Sequence, residues 1–550
     1  MWLLHVDCQR IQEFIFRGRV KLKDFRGASY LLAYANTTGT LQKIQELFPS
    51  KTNIRPDNTL DPIHPNPANW PDVQVIYSIS GISKILFKNK DDAIAADKAI
   101  QKMYREQTDT IAVTSFIQEV DDADIVRNYA HHIKQGEAEV FRRKHLPASA
   151  GVFPNLPLIA RCARDGTRPA VKEIKTPGIG GTIRELIVSD ATAKAFHASN
   201  SELPIMERIV DKIAKNNNLP RNKITLPDTF EELVSASPEE RGAEGRYMAV
   251  VAADGDGLGT LLSEINSPEA AQTFARELDE CCAKALIQAV WDTYAGRLVH
   301  GGLLPLRVLI FGGDDLVLVC ESATGLDIAD RFCRKFRQFT KKSDNLRKCL
   351  NRSENQWNGI SASAGVAIAK HTHPIYILVG AAEQLMSTAK KIARTNPTRG
   401  GALDFMVVRT AAVSDMVDVR NQQLKSDYDT SFFLSCRPYW LEGKTGEIVL
   451  KDLLDAVRKL KRTCPTNKLK DLEEGLHIEE RTDIERWYDT FLKHMTGAQD
   501  LKDLCNSVIG DEKPFSHSPR ANVRSALRLP QDPYCTPLLD AVEIFEFLEV

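Results

Sequence analysis

The sequence predicts an α+β protein with two ferredoxin-like units, a mixed α/β or helical region between them, and a helical region after the second. Three observations predict it. Strand-length apolar runs and helix-length amphipathic stretches alternate near the N-terminus in the order βαββαβ. The same order returns after about residue 243. Beyond about residue 412 the apolar spacing is helical. The expected domains are therefore 1–120, 121–242, 243–412 and 413–550, since a chain of 550 residues is too long for one core.

In the first unit the expected elements are a strand over Trp2–Val6, a helix over Ser29–Phe48, strands over Val73–Ile79 and Ile82–Phe87, a helix over Asp91–Gln107 and a strand over Thr110–Ile117. Pro49–Pro71 is rich in Pro and Asn and reads as a surface excursion. The middle region has helical stretches at Ala123–Arg143 and Lys194–Asn216 around a Pro/Gly-rich section, Pro154–Gly181. The second unit opens with a strand at Tyr247–Ala253 and a helix at Pro268–Tyr294. Strands at Leu306–Phe311 and Leu316–Cys320, a helix at Gly325–Lys341 and a strand at Ser361–Ala369 complete the repeat. A helix over Ile375–Arg394 and a strand over Ala402–Val408 follow. The C-terminal helices are expected at Leu450–Lys461, Ile478–Met495 and Leu538–Leu548.

Composition narrows the function classes. Hydrophobic residues make up 43% and charged residues 26%, the balance of a soluble globular protein. No apolar run reaches membrane-spanning length, so no membrane partner is expected. Asp7 comes early and no basic segment precedes it, unlike a secretory signal. Eleven scattered cysteines point to reduced thiols and a cytoplasmic location. A net charge of −1 excludes a generic polyanion binder. Local basic clusters remain as candidate docking sites for nucleic acid: Arg17 to Arg26, Lys335 to Lys348 and Arg458 to Lys470.

The chemistry concentrates in Phe311-Gly312-Gly313-Asp314-Asp315. Apolar runs on both sides make it the turn of a β-hairpin that presents carboxylates. Glycine permits positive φ and close approach of a phosphate. Paired carboxylates suit hard cations such as Mg²⁺. A second acidic cluster, Asp254-Gly255-Asp256-Gly257-Leu258-Gly259, ends the strand at Tyr247–Ala253. If the two strands are neighbours in one sheet, Asp254 and Asp314 converge, and metal-assisted displacement at phosphorus becomes the natural chemistry. The first unit has Ser80-Gly81-Ile82-Ser83 at the corresponding turn and lacks the acids, so it reads as a partner half.

The chain resembles the large palm-domain subunit of type III CRISPR effector complexes, especially the Cmr branch. Ile11-Gln12-Glu13-Phe14-Ile15-Phe16 with Arg26-Gly27-Ala28-Ser29 is similar to the opening of the first palm. The cluster at Asp254, the Gly312-Gly313-Asp314-Asp315 turn, Ser361–Ala369, Ala381–Leu385 and Ala389-Lys390-Lys391 are similar to the second palm. The resemblance spans roughly residues 1–410.

It implies an RNA-activated nucleotidyltransferase that makes a cyclic oligoadenylate second messenger from ATP with Mg²⁺ or Mn²⁺. In an alternative chemistry the same site joins AMP to S-adenosylmethionine, and in another the subunit is a catalytically silent scaffold. The implied partners are other type III CRISPR effector subunits, guide RNA and target RNA. Carried over residue by residue, Asp254, Asp314 and Asp315 are catalytic. Asp254, Asp314 and the Gly255 carbonyl would hold metal. Gly312, Gly313, Gly257, Lys390 or Lys391, and Ser29 would bind nucleotide.

Two departures are visible. No histidine is followed by Asp, so no HD-type nuclease is expected. Cys162 stands alone where relatives carry Cys-x-x-Cys, which puts a structural zinc in doubt. A stand-alone cyclase of the diguanylate type is disfavoured by Asp315-Leu316 and by the preceding unit. His371 and His373, Cys281-Cys282 and Gly178-Ile179-Gly180-Gly181 read as surface, packing and loop residues respectively.

Overall fold

Four antiparallel strands form the first sheet in the order β2-β3-β1-β4, with β1 at Trp2–Cys8, β2 at Val73–Ile79, β3 at Ile82–Phe87 and β4 at Val113–Glu119. This computed structural model describes residues 1–145, 159–177, 182–235, 246–409, 424, 432–478, 480–517 and 534–548. Leu4, Val6, Val73, Val75, Ile85 and Phe87 turn one face of the sheet into a core shared with α1 (Ile11–Phe16), α2 (Leu22–Tyr34), α3 (Thr40–Leu47) and α4 (Lys90–Thr108).

The single helix expected over Ser29–Phe48 is instead α2, a π-helical turn at Ala35–Gly39, and α3. Asn36, Thr37, Thr38 and Gly39 are weak helix formers, and Thr37 and Thr40 bond back to the Ala33 and Ala35 carbonyls. The excursion at 49–71 is not wholly superficial, because Ile54, Ile63 and Trp70 are buried.

In the middle region the expected helix at 123–143 breaks at Asn128 into α5 (Asp122–Arg127) and α6 (Tyr129–Lys144). The one at 194–216 becomes α7 (Asp190–Ala198) and α8 (Pro204–Asn216), with proline at the start of the second. Between α6 and α7 lies an unforeseen hairpin of β5 (Lys172–Pro177) and β6 (Ile183–Val188). Gly178 to Gly181 lie outside the described residues. Short strands β7 (Ile224–Thr225) and β9 (Gly302–Leu303) pair with each other, and α9 (Phe230–Ser235) precedes the second unit.

The second sheet has six strands in the order β10-β11-β8-β12-β13-β15. They are β8 (Tyr247–Gly255), β10 (Leu306–Gly312), β11 (Asp315–Glu321), β12 (Ala362–Lys370), β13 (Ala402–Val407) and β15 (Tyr439–Trp440). Met248 to Ala253 are all buried, as expected for a central strand covered on both faces. Its helices are α10 (Leu258–Leu262), α11 (Pro268–Tyr294), α12 (Ser322–Lys342), α13 (Asp344–Cys349) and α14 (Ile375–Ala393). The C-terminal region is not purely helical. It supplies β15 to this sheet, and a three-stranded sheet forms from β14 (Phe432–Phe433), β16 (Ser516–His517) and β17 (Tyr534–Cys535). Two-residue strands are too short to show an alternating pattern in sequence.

The basic clusters are largely structural. Arg19 is buried against the Phe14 and Ile15 carbonyls, and Arg26 is buried on Glu202 and Asp228. Lys335, Arg337, Arg347, Arg458, Lys459 and Lys468 are all paired with carboxylates. Cys162 is buried beside Thr192. Its loop is closed by Asp165, which accepts from the Thr167 and Arg168 N–H groups and the Ser189 and Thr192 hydroxyls. Among the described residues, no helix is long and apolar enough to cross a membrane.

Candidate nucleotidyl-transfer site

Strand pairing brings the two acidic clusters together. β11 runs antiparallel to β8 with Leu316 opposite Ala253, and β12 flanks the other side with Ser363 opposite Asp254. Asp254 therefore ends the central strand beside the turn that carries Asp314 and Asp315. The Gly255 N–H donates to Asp314 Oδ2 at 3.2 Å. Burial raises the Asp314 carboxyl well above its ordinary range, and Asp254, within hydrogen-bonding reach, adds to the shift. Asp315 opens onto a cavity, and the protein around it pushes its carboxyl up to about 6, with the charge of Asp254 adding.

Lys390 on α14 pairs with Asp254 Oδ2. Lys391, one residue further around the helix, is exposed. Of the two lysines, the fold turns Lys390 to the acids. Asp256 has a different part: it accepts from the Ser361 and Ser363 hydroxyls at 2.8 Å and ties β8 to β12.

The site fits a hard cation. Two half-buried carboxylates sit side by side with one lysine against them, so one acid is held protonated unless positive charge arrives. No three His, Cys, Asp or Glu side chains among the described residues form a ready-made cage. That is the usual state for Mg²⁺, which takes one or two carboxylates and fills its remaining positions with water and phosphate oxygens.

A cavity of about 600 Å³ lies between the two units. Gln12, Ser29, Asn36 and Ser80 line it from the first, Gly312, Asp315 and Glu383 from the second. Ser29 is 3% exposed, and its hydroxyl has no hydrogen-bond partner. The turns of the two units meet here. A Cβ on Gly312 or Gly313 would lie 2.7 or 2.9 Å from Ser80 Oγ, so the glycines admit the opposite turn. Gly313 has φ +64, a second reason for glycine, and Gly257 has φ +71 where it opens α10.

Sequence reasoning gave no role at the site to Ser80, Glu383 or Asp279. Glu383 interrupts the apolar run Leu378–Leu385, a signal that was available. Burial pushes its carboxyl up to about 7, with Asp315 adding, and one of its oxygens has no partner.

Residues 247–398 match the model of the family described as Cas10/Cmr2, second palm domain. That segment of the chain is similar to a Cas10/Cmr2 second palm. Solved structures of Csm1-Csm4 cassettes share the fold. One in complex with cA3 has a TM-score of 0.55 at 15% identity, covering 100% of this chain and 70% of that chain. An apo cassette gives 0.54 at 17% identity, with 100% and 70% covered. A cassette with cA4 gives 0.44 at 16% identity, covering 74% of this chain and 54% of that one, about half its length. A comparison with curated protein sequences finds no match. The matched segment comprises β8 to α14, and it contains Asp254, Asp314, Asp315, Glu383 and Lys390.

Proposed function

We propose that the chain is the nucleotidyltransferase subunit of a type III CRISPR ribonucleoprotein, making cyclic oligoadenylate from ATP when target RNA is bound. The observation that carries this reading is the convergence of Asp254 and Asp314 at the edge of a cavity shared by two palms. Structures of the same fold at TM-scores above 0.5 are described in complex with cA3 and with pppApApA, which supports an adenylate product. Other effector subunits, guide RNA and target RNA are the partners this reading requires.

Asp254, Asp314 and the Gly255 carbonyl would hold Mg²⁺ or Mn²⁺, and the bound ion would supply activation of the attacking ribose hydroxyl and charge stabilisation of the departing pyrophosphate. The chain's own groups do the rest. Lys390 exchanges Asp254 for phosphate oxygens. Gly257, Gly312 and Gly313 offer backbone that carries no side chain of its own. Ser29 supplies an unused hydroxyl to the acceptor nucleotide from the first palm. As the new O–P bond forms, the hydroxyl loses its proton and the bond to pyrophosphate breaks.

A second reading has one observation in its favour. The cavity wall carries Asp315, Glu383 and Glu13, and its cation, Arg10, lies 3.6 Å from Glu13. Such a wall favours an acceptor bearing positive charge, as S-adenosylmethionine does, over a second triphosphate.

The test is mass spectrometry of products from the assembled complex, given Mg²⁺ or Mn²⁺, ATP and S-adenosylmethionine, with and without target RNA. A target-dependent oligoadenylate or AMP adduct names the chemistry. Asp314→Ala with Asp315→Ala is expected to lower product by on the order of 10³-fold or more while leaving assembly intact. Normal product from that variant would sink the assignment. No product from an intact, RNA-binding wild-type complex would favour the silent scaffold.

A further inference from the structure

The acidic turn is gripped from outside its own hairpin. Asp279 lies on α11, and its Oδ1 accepts the Gly313 N–H at 3.1 Å. Gly313 is the residue immediately before Asp314. Gln272 lies seven residues earlier, about two helical turns, and so on the same face. Its buried side chain reaches the first palm. There it accepts from the Ile63 N–H at 3.0 Å and donates to the Asp61 and Val75 carbonyls at 3.2 and 3.4 Å. Val75 is on β2, the strand that leads into the Ser80-Gly81 turn, and Ser80 in turn faces Gly312 and Gly313. One helix thus holds a strand of the first palm with one side chain and the catalytic turn of the second with another. A carboxylate kept in a crowded place for one backbone bond costs desolvation, which a solvated turn would not incur.

We propose that Asp279 is a positioning residue for nucleotidyl transfer. It sets the Gly313 peptide, and through it the Asp314 carboxylate, while Gln272 registers that setting to the first palm. The turnover part of this proposal rests on the functional reading above. The placement of the turn does not.

The test measures hydrogen–deuterium exchange over residues 311–316 of the full chain without substrate, and turnover of the assembled complex. Asp279→Ala is expected to speed exchange at the turn several-fold and to lower kcat about 10–100-fold, with KM for ATP changed by less than about threefold. Asp279→Asn keeps an acceptor oxygen and is expected to restore both. If Asp279→Ala does not fold, Asp279→Ser, polar but shorter, carries the same expectation. Gln272→Leu is expected to speed exchange in β2 and at the turn together.

Unchanged exchange in Asp279→Ala, or Asp279→Asn as impaired as Asp279→Ala, would overturn the positioning role. An effect of Gln272→Leu confined to β2 would overturn the link between the palms. Wild-type protein that makes no product would overturn the functional reading alone, because exchange is read without turnover.

Discussion

Asp314 and Asp315 have folded pKa values above the ordinary 3.8, so the metal-free fold binds their protons more tightly than the unfolded chain does. Their stabilising contribution is complete below the unfolded value. It is lost as pH rises through the folded value, about 6 for Asp315 and higher for Asp314. Metal-free protein is therefore expected to melt at a lower temperature at about pH 8 than at about pH 5, relative to Asp314→Asn with Asp315→Asn. Protons compete with the cation, so Mn²⁺ should bind more tightly at the higher pH and raise the melting temperature more there. Saturation at a hundred times Kd is worth about 2.7 kcal/mol. Melting scans with and without Mn²⁺ check both signs, and a Mn²⁺ shift independent of pH would contradict the assignment. The acids themselves were legible as residues, because a second acidic cluster at Asp254 accompanies the Gly-Gly-Asp-Asp turn, which by itself would read as an ordinary acidic hairpin. Lys390 was not separable from Lys391, because only the rotation of α14 over β12 decides which lysine meets Asp254.

α14 is placed by a close approach. A Cβ on Gly365 of β12 would lie 2.0 Å from the Ala382 carbonyl and 2.4 Å from the Met386 nitrogen. Gly365→Ala must lift the helix that carries both Glu383 and Lys390. The expected cost is about 1–3 kcal/mol of stability, read by denaturant unfolding, with a fall in kcat larger than the change in ATP affinity. Stability and turnover both unchanged would show that α14 does not need this contact. Elements with long periodic patterns, such as α11 and α12, follow from spacing to within a few residues. The π-helical turn does not, since side-chain-to-backbone bonds compete there with the helix, and neither does the break at Asn128, whose side chain bonds Asp124 without capping α6.

The C-terminal region is tied to the second palm through buried charge. The Arg437 side chain is 1% exposed, 2.8 Å from Asp540 and 2.7 Å from Glu543, and it donates to the Phe405 carbonyl on β13 at 2.9 Å. Asp540 also accepts from Tyr439, Ser435 and the Cys436 N–H. Arg437→Met leaves Asp540 buried without its cation and is expected to cost about 3–5 kcal/mol, seen as a lower urea midpoint. An unchanged midpoint would mean the network contributes no net stability. Nothing in the helical spacing after residue 412 announced this tie, because its members lie about a hundred residues apart.

The sequence by itself determined the two βαββαβ repeats and the acidic clusters, because local periodicity and short turns are written in neighbouring residues. Only the tertiary structure decided that Ser80 fills the space left by Gly312, that Asp279 holds the Gly313 peptide, and that cluster residues such as Lys335 and Arg458 pair with carboxylates. Those contacts join residues far apart in the chain. Their partners are chosen by how the two palms pack, which no spacing along one segment encodes.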